Sequence, residues 1–334
     1  MKSILKLIIY PIVFLGGLIR FIIIGNNGQQ SFLAFRYIFV LTNGKSNDYA
    51  SKIISLLTPK YNSIPPNGVL ENLTDKEVEE VISNLNNTGY HVFKTQLSPK
   101  QIEELTNFAT STPVSYLEFD QKYITYSNEK VLFDEKNIVS PRYQFKNTEL
   151  IKNQLIQDLA FDQSLLRIAN EYLQTKPILD IISMWWSVPF NKAAEDRAAQ
   201  KFHFDMDRFK FMKFFFYLTD VDTNTGPHCY VKGSNKHIPK EVLIDRRIED
   251  SEIKKAYPSE NIVELTAPKG SIIAVDTRGF HKGKSLTKGK RLLLQLQFSN
   301  SLFGSPLSKM ENISLSPENR KLQKEKRHSY QVIN

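Results

Sequence analysis

Hydrophobic residues in this chain follow two periods. Between residues 74 and 173 they mostly recur every three or four positions, the spacing that lines one face of a helix. "LTDKEVEEVISNLNNTG" places Val78, Val81, Ile82 and Leu85 on one face, opens on Thr74 as N-cap with Glu77 three residues later, and closes at Gly89. "SPKQIEELTNFA" repeats that logic with Ser98 at the cap, Pro99 at the first helical position and Gln101 at the third. Between them "YHVFKTQL" predicts a strand. Two more amphipathic helices are predicted at 149–160 and 163–173. The second is capped by Asp162 and carries Leu165, Leu166, Ile168, Ala169 and Tyr172.

From Pro177 onward the period drops to two. "PILDIISMWWSVP", "QKFHFDMD", "FKFMKFFFYLTDV", "HCYVK", "NIVELT", "GSIIAVD" and "KRLLLQLQFSN" are short runs rich in aromatic and β-branched residues, separated by turn residues. Helices followed by a series of strands read as a mainly β fold with flanking helices, an antiparallel sandwich or barrel with helices on one side.

The N-terminus obeys neither period. Residues 7–24, "LIIYPIVFLGGLIRFIII", are apolar apart from Arg20 and are preceded by Lys2 and Lys6. That length suits a membrane span, but Pro11, Gly16, Gly17 and Arg20 interrupt a straight one, and no small-x-small cleavage site follows. An interfacial or re-entrant membrane anchor is the leading reading; a true span and helices packed on the domain are its alternatives. A polar, turn-rich stretch around "YASKIISLL" ends in "YNSIPPNG", which marks a boundary. The expected organisation is an apolar segment at 1–45, a linker with a short helix at 46–72, a single domain at 73–305 and a polar, basic tail at 306–334.

The 334 residues are 41% hydrophobic and 11% aromatic, enough for a real core and too apolar for a disordered chain. The net charge of +9 is spread along the sequence; the densest run, "ENRKLQKEKRH", mixes signs and reads as a solvated helix. No nucleic-acid module accompanies it, so no nucleic-acid partner is expected. One cysteine, Cys229, rules out an internal disulfide and a thiolate zinc cluster, and fits a reducing compartment.

The chemistry concentrates in "KFHFDMDRFKF", residues 201–211, where a histidine and two aspartates alternate with phenylalanines. Such groups survive in an apolar setting only when paired, hydrogen-bonded or holding a metal. On a strand, His203 and Asp205 project to the same face. A third ligand, His281, lies on a Gly-bounded turn after the strand "GSIIAVD". Two histidines and one carboxylate make the facial triad of non-haem iron(II) oxygenases, which leaves coordination positions open. Ten residues later Arg291 opens a strand, where a guanidinium can grip a dicarboxylate through two parallel bonds.

These segments resemble the phytanoyl-CoA dioxygenase family. The likeness rests on "HFD" at 203–205, "YLTDVDTNTGPHCYVKGSNKH" at 217–237, "GSIIAVDTRGFHKGKSLTKGKR" at 270–291 and "NTGYHVFKTQLSPKQIEEL" near residue 90, and covers about 75–305. It implies a double-stranded β-helix (jelly roll, cupin-like) and an Fe(II)- and 2-oxoglutarate-dependent dioxygenase that uses O2 and releases succinate and CO2. Carried over, His203, Asp205 and His281 would ligate iron, and Arg291 would bind the distal carboxylate of 2-oxoglutarate. Ser285 or Thr287, on the same loop, would add a hydroxyl. Related halogenases put a small residue in place of the carboxylate, so Asp205 favours hydroxylation. Because iron(II) and 2-oxoglutarate are cytosolic, the domain is expected to be cytoplasmic, at most at the cytoplasmic face of a membrane. A small-molecule or lipid-like substrate is expected, its identity unread; oligomeric state is not encoded in any visible pattern. The competing classes are a non-catalytic jelly-roll binding protein and a cupin-type metalloenzyme that does not use 2-oxoglutarate.

Other polar residues have plainer readings. Asp207 reads as a hydrogen-bonding neighbour of the triad, and His228 and His237 as structural or exposed residues of a connection. His91 reads as packing, His328 as tail and Cys229 as a small buried hydrophobe. Of the adjacent Trp185 and Trp186, one faces the core and the other a pocket wall.

Overall fold

A computed structural model describes residues 2–118, 125–190, 198–311 and 313–334. Three helices come first: α1 (Lys2–Ile24), α2 (Gly28–Thr42) and α3 (Lys45–Leu57). The next segment holds α4 (Asp75–Asn87), β1 (Tyr90–Gln96), α5 (Pro99–Ser111), β2 (Ser115–Tyr116), β3 (Arg142–Gln144), α6 (Asn147–Leu150), α7 (Gln154–Ala160) and α8 (Gln163–Leu173). The β-rich half follows as β4 (Ile178–Ser187), β5 (Phe211–Tyr217), β6 (His228–Val231), α9 (Asp250–Ala256), β7 (Ile262–Leu265), β8 (Ser271–Val275), β9 (His281–Gly283) and β10 (Arg291–Ser299). The last helix is α10 (Pro317–Glu325).

The strands form a large antiparallel sheet in the order β1-β8-β5-β10-β4-β3-β2 and a small one in the order β7-β6-β9. Residues 202–203 extend the small sheet beyond β9 through the bridge His203↔His281. From β4 to β10 the chain passes repeatedly between the sheets, and this is the winding of a double-stranded β-helix.

Period two puts alternate residues on opposite faces of the large sheet. Met184, Trp186, Phe214, Phe216, Leu292, Leu294 and Leu296 bury against a helix layer that includes Val78, Leu85, Leu105, Ile156, Leu166 and Ile168. The other face turns Trp185, Phe215, Tyr217, Ile273 and Leu293 into the barrel, toward Tyr230 and Leu265 of the small sheet. Because both faces are covered, "FKFMKFFFY" reads as continuous rather than alternating.

The predicted caps of α4 and α5 are present, each a reciprocal capping box. Elsewhere the structure departs from expectation. The helix predicted at 149–160 is two helices, because the Asn153 side chain accepts from Ile156 N at 3.0 Å and starts a new one. The run 201–207 is extended but pairs only at isolated bridges, and His281 sits in a short strand rather than a turn. The segment after residue 305 is no solvated tail. Met310, Ile313, Leu315, Tyr330, Val332 and Ile333 are buried in the helix-layer core, and the charged run between them supplies the exposed face of α10.

The N-terminal helices pack on the barrel. Phe35 and Phe39 of α2 are buried, Phe35 edge-on to Phe209 at 5.3 Å and Phe39 stacked on Phe204 at 5.6 Å. From α1, Phe14 and Phe21 each meet the Phe303 ring edge-on at 5.6 Å. The opposite face of α1 remains apolar and open, with Ile12 64% and Ile19 60% exposed.

Candidate metal centre

Each triad residue is delivered by strand pairing. His203 N donates to His281 O at 3.0 Å and His281 N to His203 O at 2.8 Å, so the two residues are directly opposite and their ring centroids lie 4.3 Å apart. Two residues on, Asp205 N donates to Thr277 O at 2.8 Å, which holds its carboxylate on the same side. One ligand atom from each of His203, Asp205 and His281 falls within 4.8 Å of the others. His203 Nε2 is 3.7 Å from Asp205 Oδ1, and His281 Nε2 is 3.5 Å from Asp205 Oδ2.

The outer nitrogens decide the tautomers. His203 Nδ1 lies 3.0 Å from Lys201 O, and His281 Nδ1 lies 3.0 Å from Gly279 O. A carbonyl only accepts, so each Nδ1 carries the proton and each Nε2 presents a lone pair toward Asp205. Burial pushes the His203 pKa well below the ordinary imidazole range, helped by neighbouring His281 and opposed by Asp205. Burial also lowers that of His281. Burial alone would raise the Asp205 carboxyl, but the Lys213 ammonium beside it outweighs burial and holds it well below the carboxylate range. Two neutral imidazoles and one carboxylate fit a divalent transition-metal ion such as iron(II), with positions left for oxygen ligands.

Lys213 comes from β5. Its Nζ donates to Asp205 Oδ2 at 2.6 Å and lies 3.5 Å from Asp207 Oδ2. Asp207 is therefore a neighbour that shares a cation with the triad, as its phase predicts. Beside it Arg208, fully buried, donates from Nε to Asp180 Oδ2 at 2.7 Å and from Nη1 to Ser305 O at 2.6 Å, pinning this loop to β4 and to the C-terminal segment.

Arg291 opens β10 opposite Ser187 of β4. Its Nη1 donates to Gly226 O, its Nη2 donates to Ser187 Oγ at 3.2 Å, and Nε is buried without a partner. Among the described residues no carboxylate pairs with it. A buried guanidinium without a counter-charge is costly, and a bound dicarboxylate relieves that cost.

The loop hydroxyls fare differently. Thr287 is exposed and its Oγ1 is 3.1 Å from Asn224 Oδ1, so it braces a hairpin rather than Arg291. Ser285 is half-buried in the β9–β10 connection. The hydroxyl that Arg291 touches is Ser187, which sequence reasoning missed; its signal was a serine closing the strand directly after Trp185 and Trp186. Lys213 was missed too, although a lysine inside "FKFMKFFFY" raises the same burial question as His203. His228, expected to be structural or exposed, is buried with its ring centroid 5.3 Å from that of His281. Trp186 enters the outer core while Trp185 faces inward, 4.2 Å beneath the Arg142 guanidinium. His237 sits at the surface beside Asn43, and Cys229 is buried.

Several solved structures are similar to this chain. One is HygX from Streptomyces hygroscopicus with nickel, 2-oxoglutarate and hygromycin B bound (15% identity, 70% of this chain and 89% of that chain, TM-score 0.45). Others are EctD from S. alaskensis with 2-oxoglutarate and 5-hydroxyectoine (14% identity, 72% and 82%, TM-score 0.46) and the epimerase SnoN in complex with Fe3+, alpha ketoglutarate and nogalamycin RO (14% identity, 67% and 84%, TM-score 0.46). No curated protein matches significantly. The sequence family described as phytanoyl-CoA dioxygenase (PhyH) matches residues 85–292, well over half of the chain and spanning all three triad residues and Arg291. With two histidines and an aspartate converging inside a jelly roll, the chain belongs to the phytanoyl-CoA dioxygenase family and is an iron(II)- and 2-oxoglutarate-dependent oxygenase.

Proposed function

We propose that the protein is a hydroxylase of a small organic molecule, with His203, Asp205 and His281 holding iron(II) and Arg291 anchoring the distal carboxylate of 2-oxoglutarate. The observation that carries this reading is the pairing of a pre-set triad, both Nε2 lone pairs turned to Asp205, with a buried guanidinium that has no acid of its own among the described residues. Bound there, iron(II) with 2-oxoglutarate and O2 supplies the oxidising equivalents for inserting oxygen into a substrate C–H bond, with succinate and CO2 as co-products.

The protein's residues contribute geometry and electrostatics. The carbonyls of Lys201 and Gly279 hold the imidazole protons away from the metal side. Lys213 fixes one carboxylate oxygen of Asp205 and keeps it ionised. Ser187 and the Gly226 carbonyl orient Arg291 so that its remaining donors are free for a carboxylate. Phe215, Trp185 and Leu293 exclude water from the inner sheet face. Asp205 occupies the position a halide would need, which favours hydroxylation over halogenation.

The open apolar face of α1 supports a second element of this reading: the protein rests at the cytoplasmic face of a membrane with α1 in the interface plane, not across it. Spanning would strip Phe14 and Phe21 from Phe303. An in-plane helix keeps those contacts and buries Ile12 and Ile19 in lipid.

Anaerobic titration of the purified protein with iron(II) and then 2-oxoglutarate tests the site. The expected result is a weak visible charge-transfer band that Asp205→Ala abolishes, with succinate formed once O2 is admitted. A wild-type protein that binds iron yet gives neither band nor succinate would refute the assignment.

A further inference from the structure

The interior of the barrel contains a histidine that the assignment above does not use. His228 opens β6 and is 5% exposed. Its Nε2 is buried and, among the described residues, has no hydrogen-bond partner. An unpaired buried polar atom is destabilising, and an apolar residue would fill the same inward-facing position without that cost.

Register locates the ring. Two residues before it, the Gly226 carbonyl accepts from Arg291. Two residues after it, Tyr230 pairs directly with His281 across β6 and β9. His228 thus stands midway between the arginine and the triad. The ring packs edge-on to Phe215, centroids 5.0 Å apart, and its backbone N donates to Tyr217 Oη at 3.1 Å, so it is held in place without satisfying Nε2.

A molecule gripped by Arg291 at one end and reaching the metal ligands at the other must pass this ring. We infer that His228 is part of the 2-oxoglutarate site and donates from Nε2 to an oxygen of the dicarboxylate along that path. This rests on the iron and 2-oxoglutarate reading above and adds a donor to it. The oxygens of 2-oxoglutarate are acceptors only, so the neutral tautomer with its proton on Nε2 is the one that matches. Binding pairs an orphaned donor with an anion, and hydrogen bonds to charged groups are the stronger ones.

The test compares wild type, His228→Leu and His228→Gln as full-length proteins, anaerobically and at saturating iron(II). 2-Oxoglutarate binding is followed by the charge-transfer band and independently by calorimetry, and iron affinity is measured separately. His228→Leu should weaken 2-oxoglutarate by about ten- to a hundred-fold, as expected for a lost hydrogen bond to a charged group, and leave iron affinity unchanged. His228→Gln, which keeps a donor at similar reach, should recover part of the loss. If His228→Leu does not fold by circular dichroism, His228→Met takes its place. An apolar variant that binds 2-oxoglutarate within twofold of wild type, with an unshifted band, overturns this inference alone. A wild-type protein with no 2-oxoglutarate-dependent signal overturns the cosubstrate reading and this inference with it.

Discussion

Lys213 links the stability of the fold to occupancy of the metal site, and Lys213→Met separates the two. In the metal-free protein Lys213 is the cation for Asp205 at 2.6 Å and for Asp207 at 3.5 Å, and its side chain is 8% exposed. Removing one partner of a buried ion pair costs about 3–5 kcal/mol, because the remaining charge is stranded. For a chain of 334 residues the unfolding entropy is roughly 0.7 kcal/mol/K, so the apoprotein should melt about 4–7 °C lower. A divalent ion at the triad supplies the missing positive charge and no longer competes with the ammonium beside Asp205. Metal should therefore raise the melting temperature of Lys213→Met by more than it raises that of wild type. Calorimetric scans of both proteins, apo and with saturating iron(II) under anaerobic conditions, measure the difference directly. An equal or smaller metal-induced shift in the variant would refute the view that Lys213 and the metal act on the same carboxylate.

Three further outcomes are expected. Arg208 and Asp180, with side chains 1% and 0% exposed, form a buried pair, so Arg208→Ala should lose about 3–5 kcal/mol in chemical denaturation, while Arg208→Met with Asp180→Leu should recover most of it; equal loss in both would point to packing rather than charge. Burial lowers the pKa values of His203, His281 and His228 in the folded state, so below about 6.5 the unfolded chain binds more protons and apoprotein stability should fall as pH drops from 8 to 5; a flat melting profile would contradict neutral imidazoles. Ile12→Glu with Ile19→Glu, both on the open face of α1, should abolish flotation with anionic vesicles without shifting the melting temperature by more than a degree or two; unchanged flotation would exclude α1 as the anchor.

Much of this protein is legible without coordinates. The capping boxes at Thr74 and Ser98 are local chemistry: the groups that satisfy the first helical N–H donors lie within three residues, so the sequence carries the whole interaction. Short β-branched and aromatic runs bounded by turn residues predict β4, β5, β6, β7, β8 and β10, because that composition and length suit a strand whatever it packs against. His203, Asp205 and His281 are readable because ionisable groups in apolar strands require partners, and two of them are only two residues apart.

What the chain order cannot express is adjacency between distant segments. Arg291 lies 104 residues from Ser187, yet their register on neighbouring strands puts that hydroxyl, and not the loop residue Thr287, beside the guanidinium. The tail after residue 305 looks polar because its charged helix lies between two apolar clusters, and only the fold shows those clusters closing on the helix layer. His228 looks like any residue of a connection until β6 carries it into the barrel, against Phe215 and His281. Sequence by itself determined which residue types must be buried and which face of each element they share, since those follow from local geometry and the cost of dehydrating charge. Tertiary structure decided which of them meet, because strand register and sheet order turn separations of tens to hundreds of residues into distances of a few ångströms.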